Sequence, residues 1–372
     1  MTKRAGNAIL FVSSVTTLIV ISLIAATLAS TQQERPAAAL RINEVMQARS
    51  AAGDFSGSVL VARDGRTVYQ QAFGYANLEW KIPNDLQTKF EIGSMTKQFT
   101  ALLVLQLVNE GRVKLDGYLS DYLPYYRKDT GSRVTVRQLL SHTSGIPNFI
   151  SLPGFLDSPA SRTTYSVKDF AEKYCSGDLE FEPGTKFQYS NSGYFLLGAV
   201  LEQISGKPYE QLLKDRIFAP VGMNDSGYAH SETIIPHRAA GYERSSDGLK
   251  NARFYDMSIP FAAGALYSTV GDLFLWDQAL YGEKLLPAKV RDLLFKPNLE
   301  SYGFGWGILI PEPGSPNAGE TIVMHGGAIF GFQSVIERIP THKELIVLLD
   351  NTESPKLLDI ALQIRRILSE QQ

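Results

Sequence analysis

The sequence predicts a mixed α/β (α+β) fold. An antiparallel sheet is built from strands near both ends of the chain, flanked by helices, with a mainly helical insertion between them. Three observations predict it. Residues 56–62 and 67–72 are β-rich and are separated by Arg63-Asp64-Gly65-Arg66, and Asp-Gly between two such runs signals a hairpin. The C-terminal part again turns to strands, expected at 321–324, 333–339 and 345–349. Between the ends lie long apolar helical runs at 99–108 and 195–204.

Taken in order, residues 40–46 read as an opening helix, followed by the hairpin and a turn-rich stretch over 73–85. The run 99–108 is apolar on every side and has no Pro or Gly before Gly111, so it reads as a buried helix with a C-terminal glycine. Short helices are expected at 136–140, 167–174 and 209–218, with a loop at 148–164 and a loop-rich stretch at 223–254. Pro183-Gly184 turns the chain into a polar knot before the helix at 195–204, which Gly206 ends. A further helix is capped near Ser268 or Thr269, with Asp272 in its first turn. Residues 303–310 alternate Gly with aromatics, and 345–349 is apolar throughout, as a central strand would be. The final helix carries Leu357, Leu358, Ala361, Ile364 and Leu368 on one face.

The chain has 372 residues and a net charge of −2, so it carries no basic footprint for nucleic acid. Its one cysteine, Cys175, excludes an internal disulfide and reads as a buried small residue. Lys3 and Arg4 precede an uncharged run over 5–33, mostly apolar from 8 to 29, with Thr27-Leu28-Ala29 an acceptable cleavage site. Residues 1–29 are therefore read as a signal peptide or membrane anchor, 30–38 as a linker and 39–372 as one domain. Export with cleavage near Ala29 is the first reading. The second is an inner-membrane anchor formed by 8–29, which is long enough to span a bilayer. Either way the body lies outside the cytoplasm.

Ser94-Met95-Thr96-Lys97 opens the first buried helix. Positions i and i+3 share a helix face, so the hydroxyl and the amine can meet. A serine is a poor nucleophile until a base takes its proton, and lysine becomes that base when burial or nearby positive charge lowers its pKa. The N–H groups of a helix N-terminus can stabilise an oxyanion beside the nucleophile. Alone the triplet is weak, because a chain this long yields about one by chance.

Two further triplets follow, Tyr189-Ser190-Asn191 and His325-Gly326-Gly327. Their order resembles the serine β-lactamase and penicillin-binding-protein superfamily, in the branch of class C β-lactamases, D-alanyl-D-alanine carboxypeptidases, D-aminopeptidases and esterases. Glu182-Pro183-Gly184, the run from Leu139 to Gly145 and Pro220-Val221-Gly222-Met223 also look like that branch, and the resemblance spans roughly 56–351. It implies a β-lactamase-like fold and a metal-independent serine hydrolase that forms an acyl-enzyme on Ser94 and needs no cofactor. The substrate stays open among D-amino-acid peptides, β-lactams and carboxylic esters.

In this reading Lys97 accepts or relays the Ser94 proton. Tyr189 shares that work, since a phenol beside cationic groups has a lowered pKa. Asn191 fixes Lys97 or a substrate amide. His325, on a strand edge, orients Tyr189 or binds a substrate carboxylate. Gly326 and Gly327 let a substrate backbone approach, and Ala328 supplies the second oxyanion N–H. His142 reads as a turn histidine held by neighbouring hydroxyls, and the second Tyr-x-Asn, Tyr75-Ala76-Asn77, as structural.

The third motif departs from the Lys-Thr-Gly usual in β-lactamases of this branch. It resembles the peptidases and esterases more, and the lost lysine charge argues against efficient β-lactam hydrolysis. The alternative is a penicillin- or peptidoglycan-binding protein or sensor with little turnover. An α/β-hydrolase is disfavoured because no Gly-x-Ser-x-Gly occurs. A metallohydrolase is disfavoured because the five histidines form no His-x-x-x-His or His-x-His pair. The expected partner is a small-molecule or peptide substrate, with membrane contact only through the N-terminal segment.

Overall fold

The computed structural model describes residues 37–315 and 317–370. The signal or anchor segment, and all but the end of the 30–38 linker, lie outside the described residues. Residues 37 and 38 already belong to a helix, α1 (37–51), longer than the expected 40–46. Ala38, Ile42 and Met46 extend its apolar stripe onto the sheet.

That sheet has six antiparallel strands. In chain order its members are β1 (Gly57–Arg63) and β2 (Arg66–Phe73), then β6 (Gly307–Leu309), β7 (Ile322–Ile329), β8 (Phe332–Ile339) and β9 (Glu344–Asp350). The spatial order is β6-β7-β8-β9-β1-β2. The last strand thus pairs with the first, Gly57 opposite Asp350 and Val61 opposite Ile346. Asp64 and Gly65, at φ 54° and 67°, close the β1–β2 hairpin in the left-handed region that an Asp-Gly turn supplies. Only 307–309 of the Gly/aromatic stretch is a strand, because Gly303 N–H turns back onto the Trp306 carbonyl at 2.7 Å.

Both faces of the sheet are covered, and the period of two sorts each strand between them. In β9, Leu345, Val347 and Leu349 face the helical insertion. Ile346 and Leu348 face α1 and the last helix, α8 (Leu357–Ser369). This is why β9 is apolar throughout. The buried stripe of α8 is Leu357, Ile360, Ala361, Ile364, Ile367 and Leu368, and Leu358 points to solvent.

The insertion includes α2 (Thr96–Asn109), α3 (Val136–Leu140), α4 (Val167–Tyr174), α5 (Asn191–Ser205), α6 (Phe261–Gly264) and α7 (Val270–Ala279). Helix α2 is buried from Thr96 to Leu107, as its all-round apolar sequence requires. The Thr269 side chain caps α7 by accepting from Asp272 N–H at 3.1 Å. A small sheet of β3 (Phe90–Glu91), β4 (Gly227–Tyr228) and β5 (Leu266–Ser268) holds the chain just before α2. Among the described residues no helix is long and apolar enough to cross a membrane.

One ion pair locks the insertion to the sheet. Arg338 on β8 and Asp277 on α7 are 2% and 0% exposed and bonded to each other. The guanidinium also lies over the rings of Tyr281, Phe295 and Trp306. Removing one partner strands a buried charge. Asp277→Ala is expected to cost about 3–5 kcal/mol in urea unfolding, and adding Arg338→Met to recover most of it. A double variant no more stable than Asp277→Ala would show that the pair's geometry, not its charge balance, carries the stability.

Candidate active site

Ser94 lies in a single 3-10 turn, Gly93–Met95, that feeds directly into α2, and Lys97 stands in the first turn of α2 itself. Lys97 Nζ is 3.0 Å from Ser94 Oγ, 2.8 Å from Asn191 Oδ1 and 2.8 Å from the Ala263 carbonyl oxygen. The side chain is fully buried and has no carboxylate among these partners. Burial holds its pKa well below the ordinary lysine value. A neutral amine has two hydrogens and one lone pair. The Asn191 and Ala263 oxygens can only accept, so they take both hydrogens. In the neutral form the lone pair is left for the Ser94 hydroxyl to donate to.

Each partner is itself held. Asn148 Oδ1 accepts from both the backbone N–H and the Nδ2 of Asn191, at 3.1 and 3.3 Å, which turns Asn191 Oδ1 toward Lys97. The neighbouring Ala262 carbonyl on α6 accepts from Thr100 Oγ1 at 2.6 Å, fixing α6 to α2. Asn191 therefore orients the lysine as well as lining the cavity.

The oxyanion side comes from β7. Strand β6 pairs only with Ile322 to Met324, so from residue 325 that edge of β7 is open and packs on the Ser94 turn. A Cβ on Gly93, at φ 50°, would stand 2.8 Å from both N and O of Ala328. The Ala328 peptide therefore lies against the nucleophile's own turn, and Ser94 and Ala328 line the same cavity.

Three expected roles are corrected. Gly327 does not make room for substrate. It is buried, and a Cβ there would lie 2.0 Å from the Ile92 carbonyl and 2.4 Å from Ser334 Oγ, so its smallness seats β7 on the Ser94 turn. His325 points inward instead of binding a carboxylate or orienting Tyr189. Its Nδ1–H donates to the Gly326 carbonyl at 2.6 Å, and its Nε2 accepts from Tyr302 Oη at 2.9 Å. Burial pushes its pKa down to about 4, so the ring is neutral at pH 7. Tyr189 keeps its proton. Burial raises its pKa well above the ordinary phenol value, outweighing the opposite pull of Ser94. Its hydroxyl faces Ser94 without reaching hydrogen-bond geometry and has no other partner. It is thus available as a proton donor, not as a phenolate base.

His142 is held differently from the expectation. Its Nδ1 accepts from Ser190 N–H at 3.1 Å, and its ring stacks on Tyr189 at 4.2 Å and Tyr302 at 4.8 Å. This buried aromatic layer backs the Tyr-Ser-Asn segment. The loop at 148–164 was expected to shape the pocket and supplies Phe149, but Asn148, the Ala263 carbonyl, Tyr302, Phe149, Tyr255, Phe330 and Glu353 were not legible as individual site groups. No spacing marks them, because they arrive from separate loops. Tyr75-x-Asn77 stands in a small hairpin, where Asn77 Oδ1 caps Trp80 N–H at 2.7 Å, as a structural element. Cys175 is free and buried.

The depressed His325 makes a pH prediction. A histidine whose folded pKa is below its unfolded value stabilises fully above the unfolded value and loses that stability as pH falls toward the folded one. The wild type therefore loses stability between about pH 6.5 and about pH 4 from this group, and His325→Gln does not. The stability gap between them is expected to narrow by up to roughly 3 kcal/mol over that window. Urea unfolding at both ends reads it, and a constant gap would refute the buried neutral imidazole.

Comparison with known proteins gives the family. A family model described as Beta-lactamase matches residues 42–368. Penicillin-binding protein 4* of Bacillus subtilis (strain 168) is 32% identical over 320 residues, which cover 80% of this chain and 68% of that protein. A penicillin binding protein from Bacillus halodurans superposes with a TM-score of 0.75 at 29% identity, over 87% of this chain and 98% of that one. D-amino acid amidase from Ochrobactrum anthropi SV3, in complex with D-phenylalanine, superposes with a TM-score of 0.76 at 28% identity, over 89% and 98%. The family match runs through both sheet-forming ends and every element around Ser94, and the chain belongs to the β-lactamase family, within the serine β-lactamase and penicillin-binding-protein superfamily of hydrolases.

Proposed function

We propose that this protein is an exported serine hydrolase that forms an acyl-enzyme on Ser94 and cleaves amide or ester bonds next to an apolar acyl group. The observation that carries the reading is Lys97, buried with no carboxylate partner and 3.0 Å from Ser94 Oγ, its other two contacts being the Asn191 and Ala263 oxygens. That is a ready general base.

As Ser94 Oγ bonds to the substrate carbonyl carbon, its proton passes to Lys97 and the carbonyl electron pair moves onto oxygen. The Ser94 and Ala328 N–H groups donate to that oxyanion. When the carbon–nitrogen or carbon–oxygen bond breaks, the leaving group takes a proton from the Tyr189 hydroxyl, which Lys97 replenishes. Water then attacks the ester and gives a proton to Lys97; as the carbon–Oγ bond breaks, Lys97 returns that proton to Ser94 Oγ and the acid is released.

The cavity beside Ser94 has a volume of about 320 Å3 and is walled by Phe149, Ile150, Leu156, Tyr255 and Phe330. No Lys, Arg or His is among the described residues that line it. A free substrate carboxylate therefore lacks a cationic partner there, which favours an amidase, aminopeptidase or esterase over a carboxypeptidase or β-lactamase. A penicillin-binding role with slow deacylation is the second reading, supported by the likeness to penicillin-binding proteins.

Mass spectrometry after a fluorophosphonate, and separately a penicillin, tests this. One fluorophosphonate adduct on Ser94 is expected, with none in Ser94→Ala. Lys97→Met should slow labelling about a hundredfold or more. Because burial lowers the Lys97 pKa, labelling should reach its plateau at a lower pH than an ordinary lysine would give. A rate still rising tenfold per pH unit up to the ordinary lysine range would refute the lowered pKa. A long-lived penicilloyl adduct would favour the second reading, and no adduct with either reagent would remove Ser94 as nucleophile.

A further inference from the structure

Glu353 is the one charged side chain among the described residues lining the Ser94 cavity. Its placement is built. Strand β9 ends at Asp350, whose buried carboxylate accepts from Ser56 N–H at 2.9 Å, Thr352 N–H at 2.8 Å and Ser354 N–H at 3.1 Å. The Asn351 amide donates to the Tyr75 and Ala240 carbonyls at 3.0 and 2.8 Å. Residue 353 is thus clamped from both sides, and it takes φ 47°, a conformation that a side chain other than glycine's adopts under constraint. Its Oε1 accepts from Gly331 N–H at 2.9 Å, which draws the carboxylate to the cavity wall beside Phe330.

The nearby cation does not neutralise it. Arg253 covers the Phe330 ring at 4.3 Å, but its guanidinium donates to Glu243 and Asp157, both at 3.0 Å. The cavity therefore presents aromatic and aliphatic walls, the neutral reacting groups and one carboxylate.

We propose that Glu353 is the specificity-determining residue of this site, and that it selects acyl groups carrying a protonated amine: aminoacyl amides or esters with a large apolar side chain. The ammonium donates to the carboxylate while the side chain fills the wall of Phe149, Tyr255 and Phe330. The inference rests on the acyl-enzyme reading of Ser94.

The test compares D- and L-phenylalanine 4-nitroanilide with 3-phenylpropanoyl 4-nitroanilide, which differs only in lacking the amine. Wild type is expected to prefer one of the amines by on the order of tenfold or more in kcat/KM, the usual yield of a hydrogen bond to a charged group. Glu353→Gln, which keeps an acceptor for Gly331 N–H, should bring the ratio within about twofold of one. The ratio is read within each protein, so a general loss of activity does not disturb it. In wild type alone, raising the pH past the amine pKa should erase the preference, which keeps the test independent of how the variant folds. Each compound is also read as a competitor of fluorophosphonate labelling, for acyl groups that turn over slowly. A wild type that shows no amine preference in either readout, or a Glu353→Gln that keeps the wild-type ratio, overturns the proposal. Failure to label Ser94 at all overturns the acyl-enzyme reading instead.

Discussion

The site depends on keeping one lysine uncharged inside the protein. A buried ammonium without a carboxylate is costly, and the amine escapes that cost by giving up its proton. Lys97 then needs two acceptors for its hydrogens and a donor for its lone pair. The fold brings these from three places: the Ala263 carbonyl on α6, the Asn191 amide at the start of α5 and the Ser94 hydroxyl ahead of α2. A site that met only two of these needs would hold either an unpaired hydrogen or an idle base.

This convergence explains why the sheet closes with the chain's two ends side by side. Strand β9 beside β1 leaves β7 and β8 on one flank, and the open stretch of β7 can then lie against the Ser94 turn. Gly93 and Gly327 set the closeness of that approach, since a Cβ on either would collide with backbone from the other side. The Ala328 peptide is consequently placed by the sheet while Ser94 is placed by the helix. Two rigid elements thus hold the two ends of the reacting carbonyl's environment.

What was legible in the sequence follows from how local each signal is. Ser94 and Lys97 share a helix face three residues apart, and the apolar run behind them reports burial, so sequence alone exposes the pair. The sheet was legible from an Asp-Gly turn and from β9, whose unbroken apolar run reports burial on both faces. Asn191 was legible only through the motif that contains it. The Ala263 carbonyl was not, because a backbone oxygen leaves no trace in the choice of side chain. Asn148 and Glu353 were not, because loop closure over long separations brings them to the site. His325 and Gly327 were legible as important and misread in role. A histidine followed by glycines looks like an open ligand site, whereas here the ring is consumed by Tyr302 and the Gly326 carbonyl, and Gly327 serves the seating of β7.

The charge pattern of the cavity fits this base. Burial is what lowers the Lys97 pKa, and no fixed cation supplements it, because His325 is itself neutral. The lysine's neutrality therefore depends on how dry the site is. Dryness depends on the walls, and these are loops: Phe149 from one, Tyr255 from another, Phe330 from the β7–β8 turn. Arg253 spans them, donating to Asp157 beside the first and to Glu243 on the hairpin before the second, while covering Phe330. The same walls that receive the acyl group thus maintain the base. A carboxylate can be tolerated at the rim of such a cavity only if it stays out of reach of Lys97, since contact would restore the ammonium. The clamped turn after β9 and the hydrogen bond from Gly331 hold Glu353 at the wall and leave the lysine to its three neutral partners.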